Sequence, residues 1–431
     1  MTLDYFDGKK LSLCPTYPEE SWRKTNPEIF FLPENEVINF EGNNTLENLQ
    51  NHFLPWKVAF RSENLLSDKI NDLTEFLGSS SIEIIKNELA RIIFVEVFHG
   101  RVDISASNSL KSSVEYSSKP SEIESIAPNS DIGFALASRL KASSPHEFCI
   151  SINNSNNNEV PLIIVKNNTS PDFSQSYSAM KIEIEKGSRA DLLLIDGRAP
   201  FNYHRHSIVI HEKSVLNQFW LQYSSNEMNK SVSLYERSVK LSANATFNDA
   251  QLFLPEGNSR VTSNVIFQGE KGQANSGGAV VSLKGKFDYE PIQHHKKPQC
   301  QSALNLKMIL ASRARSVFQG LVKIDKNAGK TKAFQLNKNL LLSKQARVDA
   351  SPRLEILPND VVCKHGSATG EVDQKQLYYM ATRGFSPTEA KKLIIHSFAR
   401  ETLNNLSEAS VLLPIAEATL EHVLVNTLDK V

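Results

Sequence analysis

Cysteine is scarce in this 431-residue chain: Cys14, Cys149, Cys300 and Cys363 are the only four. So few and so scattered, they do not read as a disulfide framework. An excess of either charge is also missing, since 48 lysines and arginines balance 48 aspartates and glutamates. That balance implies no basic face, so nucleic acid is not expected as the main partner. Long apolar runs are absent too. The strongest, "IIFVEVF" and "LIIVK", are far too short to cross a bilayer, and no membrane partner is expected. The opening "MTLDYFDGKK" lacks the basic-then-apolar run of a signal peptide, so the expectation is a soluble, cytoplasmic protein. What is present is a 40% hydrophobic fraction, ample for a core and incompatible with wholesale disorder.

Tight hairpin signals are a further scarcity. Between Lys181 and Leu357 the "DGR" after Ile195 is the nearest to one. Instead, a turn-like group leads again and again into an alternating run: "EKGSRADLLLID", "HEKSVLNQFWLQY", "LSANATFNDAQLF", "QGEKGQANSGGAVVS", "ASRARSVFQGLVKI", "KNAGKTKAFQLNKNLLLS" and "KQARVDASPRLEIL". These units recur at about 15 to 40 residues, too unevenly for a strict repeat. One short β unit repeated without tight hairpins favours coiling over meandering, hence a mainly β, parallel β-helix (β-solenoid) core.

Helical patterns flank that core. After a Pro- and Asn-rich entry, "SSSIEIIKNELARI" carries a serine run for capping, with Ile82, Ile85, Leu89 and Ile92 at helical spacing. Toward the other end, "DQKQLYYMATRG" closes on Gly384, suited to a left-handed cap. Ser386, Pro387 and Glu389 then form a capping box with proline at the first helical position. Ala390, Leu393, Ile394, Phe398 and Leu406 can share one face, and Pro414 is expected to break or kink the last helix. Three regions follow: residues 1–95 mostly helical, 96–370 the β-helix, and 371–431 helical.

Motifs of the common catalytic classes are missing. "IDKNAGKT" resembles a phosphate-binding loop, but Ile324 stands where such a loop needs glycine, and the segment leads into a β run. A surface turn is the better account, and no nucleotide is expected to bind this chain directly. There is no His-Glu-x-x-His, and "HGSATG" has the wrong spacing for a nucleophile elbow. His204 and His206 alternate on a strand and read as surface or packing residues. His294, His295 and Cys300 in "QHHKKPQCQS" fall one ligand short of a closed zinc site.

"VVCKHGSATG" is different. Read as a strand, it turns Cys363 and His365 to one side, roughly 6–7 Å apart along the chain. That separation is awkward for a thiol–imidazole hydrogen bond but suits two ligands of one soft metal or cluster. Two ligands do not close a tetrahedral site, so others must come from elsewhere. A buried cysteine beside a hydrogen-bonded histidine explains the spacing equally well.

From "SVFQGLVKI" onward the sequence resembles the SufB/SufD family of iron–sulfur cluster assembly proteins. The resemblance runs through "KAFQLNKNLLLS", "PRLEILPNDVVCKHG" and "LYYMATRGFSPTEAKKLI", and upstream through His295, Pro298, Cys300 and Ser302. It is detailed over about the last 140 residues and diffuse before them. Asn337, Lys338 and Asn339 replace the Cys-Asp-Ser of SufB-type members, whereas Cys363, His365 and Gly366 match the Cys-x-His-Gly of SufD-type members. "HGSATG" departs from the more usual His-Gly-Ala-Thr, which touches the loop shape but neither candidate ligand.

The resemblance implies a right-handed parallel β-helix between helical ends, and a non-ATPase subunit in a scaffold for cluster assembly. It implies a heterodimer with a SufB-like subunit near the C-terminal end of the β-helix. It also implies docking of a SufC-like ABC ATPase on the C-terminal helices, with Phe385, Ile394, Ile395 and Phe398 in packing or docking. Cys363 and His365 would then be metal ligands of an iron–sulfur cluster held transiently and shared with the partner. The competing reading is a carbohydrate-active β-helix enzyme, which needs paired carboxylates or a calcium site on one face.

Overall fold

The computed structural model describes residues 57–61, 66–98, 101–106, 114–120, 146–155, 159–167, 175–197, 201–223, 231–255 and 257–428. The Pro- and Asn-rich entry and Cys14 lie outside them. The chain alternates between two sheets, each crossing adding a strand parallel to the one before. Sheet A stacks Leu162–Asn167, Arg189–Gly197, Val215–Tyr223, Thr246–Leu254, Gln273–Ser282, Gln301–Leu310, Thr331–Leu341 and Val361–Glu371. Sheet B stacks His146–Ile152, Gln175–Ile184, Phe201–Ile210, Val232–Leu241, Asn258–Phe267, Lys286–His295 and two broken strands after it. The result is a parallel β-solenoid of about seven turns. Antiparallel pairs occur at its N-terminal end, Ile92–Phe98 with Arg101–Ala106 and Val114–Pro120 with His146–Ile152.

The repeating turn groups have a common backbone cause. Where the chain passes from sheet B to sheet A, Gly187, Lys213, Asn244, Lys271, Gln299 and Lys330 all take positive φ, between 55° and 75°. Each N–H donates to the corner of the following coil: Gly187 to Glu212 O at 3.0 Å, Lys271 to Pro298 O at 3.2 Å, and Gln299 to Gly329 O at 2.9 Å. Successive corners therefore register on one another about 26 to 31 residues apart. The uneven spacing in the sequence arises because "ASRARS" lies at the opposite corner, where Ser312 is the left-handed residue. "IDKNAGKT" is one of these corners, leading into the strand Thr331–Leu341 as a turn.

Side chains pointing between the sheets form one core, from Ile93 and Phe148 through Leu192, Trp220, Phe253 and Leu306 to Phe318. Outward-facing residues of sheet A form a second core with helices from both ends of the chain. From the N-terminal side come α1 (Leu66–Asn71), α2 (Thr74–Leu77) and α3 (Ser79–Lys86). From the C-terminal side come α4 (Gln374–Thr382), α5 (Pro387–Arg400) and α6 (Leu412–Leu428). Of these six, α4 contributes no buried residue. Ser81 locks the two ends together, donating to Ile415 O at 3.2 Å and lying 3.0 Å from Thr419 Oγ1.

Several local readings need correction. The serine run does not cap α3: Gly78 occupies the N-cap position and Ser81 is buried. Leu393 is 46% exposed, because the buried face of α5 runs through Ala390, Ile395 and Ala399. Pro414 leaves α6 unbroken, since it sits in the first turn, where a missing N–H leaves no helical bond unmade. The capping box at Ser386 forms, with Glu389 N donating to Ser386 Oγ at 3.3 Å and Ser386 N to Glu389 Oε2 at 2.9 Å. Gly384 takes φ 93° as the residue ending α4.

Candidate functional site

Val361–Glu371 is the last strand of sheet A. It pairs in parallel with Thr331–Leu341, and no other strand pairs with it among the described residues. Its alternation puts Cys363, His365, Ser367 and Thr369 on the face that continues the solenoid interior. Opposite them in register stand Ala333, Gln335, Asn337 and Asn339. The two strands thus make four rungs at the open end of the solenoid.

The rungs differ in chemistry. Cys363 is half-buried with Ala333, against Val322, Ile324, Leu354 and Ile356. Burial pushes its thiol up, which disfavours the free thiolate a nucleophile needs. His365 is exposed one rung further on. Its partner Gln335 is 2% exposed, and neither its Nε2 nor its Oε1 has a hydrogen-bond partner. At the next rung Ser367 Oγ donates to Asn337 Oδ1 at 3.3 Å, and at the last Asn339 Nδ2 donates to Thr369 Oγ1 at 3.0 Å.

The other candidate residues lie in the helical layer. Ile395 is buried at 1% exposure and belongs to the core, so a partner cannot reach it. Phe398 is half-buried, with its ring 4.5 Å from Lys307 Nζ, and Lys307 also binds Glu401. Ile394 is half-buried, and Phe385 is 40% exposed. Spacing did not single out Tyr378 and Tyr379, which are 74% and 56% exposed on α4. Leu393 on α5 and Phe385 just before it are exposed as well.

The histidines and the cysteine of "QHHKKPQCQS" are held by neighbouring strands and turns. His295 turns inward, its ring 4.2 Å from Phe267 and nearly parallel to it, with Nε2 2.9 Å from Ser302 Oγ. Burial holds it down at about 3. Cys300 is buried at the corner and donates to Gly269 O at 3.3 Å, while His294 points outward to Asp325 at 3.0 Å. His294 faces away from the other two, and among the described residues the three form no metal site.

His204 and His206 are fully buried inside the solenoid, not at its surface. His206 Nε2 lies 3.0 Å from Asp196 Oδ2, and Trp220 Nε1 donates to the same oxygen at 2.7 Å. Burial pushes Asp196 up, but His206, His204 and the Asn167 hydrogen bond together hold it at about 2; burial holds His204 down at about 4. One coil further, Arg237 binds Asp249 at 2.8 Å. Among the described residues no group of three His, Cys, Asp or Glu side chains is placed to hold a metal ion. Asp288 and Glu290 share a face, yet Arg260 reaches them at 3.5 and 2.7 Å, which ties up the carboxylates a glycosidase needs free.

Comparison with known proteins places this architecture. Residues 164–398, more than half the chain, match the family described as SUF system FeS cluster assembly, SufBD core domain. The chain is 39% identical over 114 residues to the iron–sulfur cluster assembly protein SufD of Escherichia coli, covering 26% of this chain and 27% of that one. It is 28% identical over 261 residues to an iron–sulfur cluster assembly SufBD family protein of Mycobacterium leprae, covering 58% and 65%. Against SufD of Bacillus subtilis it is 40% identical over 98 residues, covering 23% and 22%. These matches span from under a quarter to just under two thirds of the relatives' lengths. The matched region takes in the stacked coils and most of α5, and the chain belongs to the SufB/SufD family of iron–sulfur cluster assembly proteins.

Proposed function

We propose that this chain is the SufD-type, non-ATPase subunit of a scaffold on which iron–sulfur clusters are built. The observation that carries the reading is the position of Cys363 and His365. They stand on the interior face of a terminal strand whose other edge is unpaired among the described residues. An unpaired edge is a template for strand addition, here by a SufB-type subunit. A soft thiolate and an imidazole suit iron, and two ligands leave a tetrahedral site half filled. The partner supplies the rest. The cluster is the cargo of this site, held transiently and then passed on.

ATP is handled by a SufC-type ATPase on the surface of Tyr378, Tyr379, Phe385 and Leu393, with Ile394 and Phe398 behind it. Exposed aromatic residues of this kind are frequent anchors in protein interfaces. The absence of a phosphate-loop glycine at Ile324 agrees with that division of labour. The test is co-purification of the untagged chain with tagged SufB- and SufC-type proteins, followed by cluster formation in the recovered complex. Failure to co-purify with either partner would sink the proposal.

A further inference from the structure

The rung between Gln335 and His365 is the open one. Its two neighbours toward Glu371 are closed by side-chain hydrogen bonds, Asn337 with Ser367 and Asn339 with Thr369. At the Gln335 rung a buried amide has both its donor and its acceptor unused. Buried polar groups in folded proteins are nearly always bonded, so an amide bare on both atoms calls for a partner. The amide of Gln335 also occupies space that Gly320 leaves free. A Cβ added at Gly320 would fall 1.9 Å from its Nε2, so only glycine there lets the amide lie where it does. Opposite Gln335 in register, on the same face of the adjacent strand, stands the imidazole of His365.

We infer that Gln335 is the positioning residue for His365, hydrogen-bonding one ring nitrogen so that the other is aimed at the iron of the nascent cluster. An amide suits this task because it carries both a donor and an acceptor and can serve either tautomer of the ring. Histidine ligands generally bond their second nitrogen to such a group, which sets ring orientation and ligand strength. The inference rests on the reading of Cys363 and His365 as ligands and adds a residue 30 positions upstream of His365. Gln335 touches no metal itself.

The test uses the assembled complex with its SufB- and SufC-type subunits and Co(II) alone as the probe. Gln335→Met keeps length and volume while removing both hydrogen-bonding atoms. Cobalt affinity is expected to fall about 10- to 100-fold, with shifted visible bands and no fall in melting temperature. Gln335→Glu, which can still accept from the ring N–H, is expected to restore the wild-type spectrum. A purely structural role for Gln335 moves the melting temperature and leaves the spectrum alone, and that result overturns the assignment. If Gln335→Met binds cobalt like wild type while Cys363→Ala and His365→Ala lose it, the ligand reading stands and the Gln335 role falls. If all three variants bind like wild type, the ligand reading fails and takes the Gln335 role with it.

Discussion

His295 and Cys300 lie at a corner with a coil stacked on either side, whereas Cys363 and His365 lie on a strand with a coil on one side only. The side-chain types are the same. At the inner corner Lys271 donates to Pro298 O, Gln299 donates to Gly329 O, and both polar side chains find partners in neighbouring strands or turns. At the end of the stack the thiol meets an apolar wall on one side, and the imidazole reaches no hydrogen bond among the described residues. Inside the stack a histidine or cysteine is enclosed by coils on both sides. At the last coil one side is open among the described residues, and the proposed ligand role of Cys363 and His365 rests on that place in the stack.

The sharpest way to break the comparison is to remove each pair in turn from the assembled complex. Cys363→Ala and His365→Ala are expected to lower cluster formation at least about tenfold, since even groups behind a ligand act on that scale. Their stability should stay within about 1 kcal/mol of wild type, because neither side chain is fully enclosed. Iron and sulfide content measured beside thermal melting checks both halves. A large loss of stability with intact cluster formation would make this pair another packing device.

The inner pair should behave in reverse. His295→Ala removes a ring stacked on Phe267 and the hydrogen bond to Ser302, and about 2–4 kcal/mol of stability is expected to go with it. Cluster formation per folded complex should be unchanged. The same contrast repeats around α4 and α5: Ile395→Ala should destabilise by a similar amount, while Phe385→Ala combined with Tyr378→Ala weakens ATPase binding and leaves melting almost untouched. Denaturant titration and a pull-down separate the two outcomes.

How much of this could be read in the sequence depends on sequence distance. The corners were visible as turn groups because charged and small residues gather there, although of the six positive-φ positions only Gly187 and Asn244 carry residues tolerant of that conformation. The capping box at Ser386 was visible because its two partners are three residues apart. The candidate ligands were visible for the same reason: alternation puts Cys363 and His365 on one face whatever lies around them. Hidden were the contacts set by stacking. Gln335 stands opposite His365 in register across 30 residues, and Ser81 meets Thr419 across 338, in placements that no local pattern encodes. Burial of His204 and His206 was hidden as well, because a polar interior gives a strand the alternation of a surface.

A smaller effect is expected from acid. His204 is held at about 4 and His295 at about 3 when folded, against about 6.5 for an unhindered imidazole. Between pH 6.5 and 4 the unfolded chain therefore takes up protons that the folded chain refuses, and stability falls as pH falls. Each histidine contributes up to about 1.4 kcal/mol per pH unit over its window, which for His295 extends toward pH 3. Asp196 adds to the fall only below about pH 4, because its carboxylate is held at about 2 and its contribution is lost between its ordinary value of 3.8 and that one. His295→Gln should flatten the dependence of melting temperature on pH between 6.5 and 4. A slope equal to the wild-type slope would show that His295 takes its proton freely when folded.

The smallest expected effect comes from the residue between the two candidate ligands. Lys364 shares its backbone strand with Cys363 and His365, and therefore shares whatever strand partner covers that edge. Its side chain points the other way, beside the exposed Phe334 on the outer face of sheet A. Lys364→Ala should leave stability within about 0.5 kcal/mol and cluster formation at the wild-type level. The comparison needs this result, because any substitution on a terminal strand can loosen subunit pairing and so mimic a ligand defect. If Lys364→Ala loses cluster formation as fully as His365→Ala does, with partner binding equally weakened, the strand acts through pairing alone. Cys363 and His365 would then owe their effect to the edge on which they sit, not to the face they share.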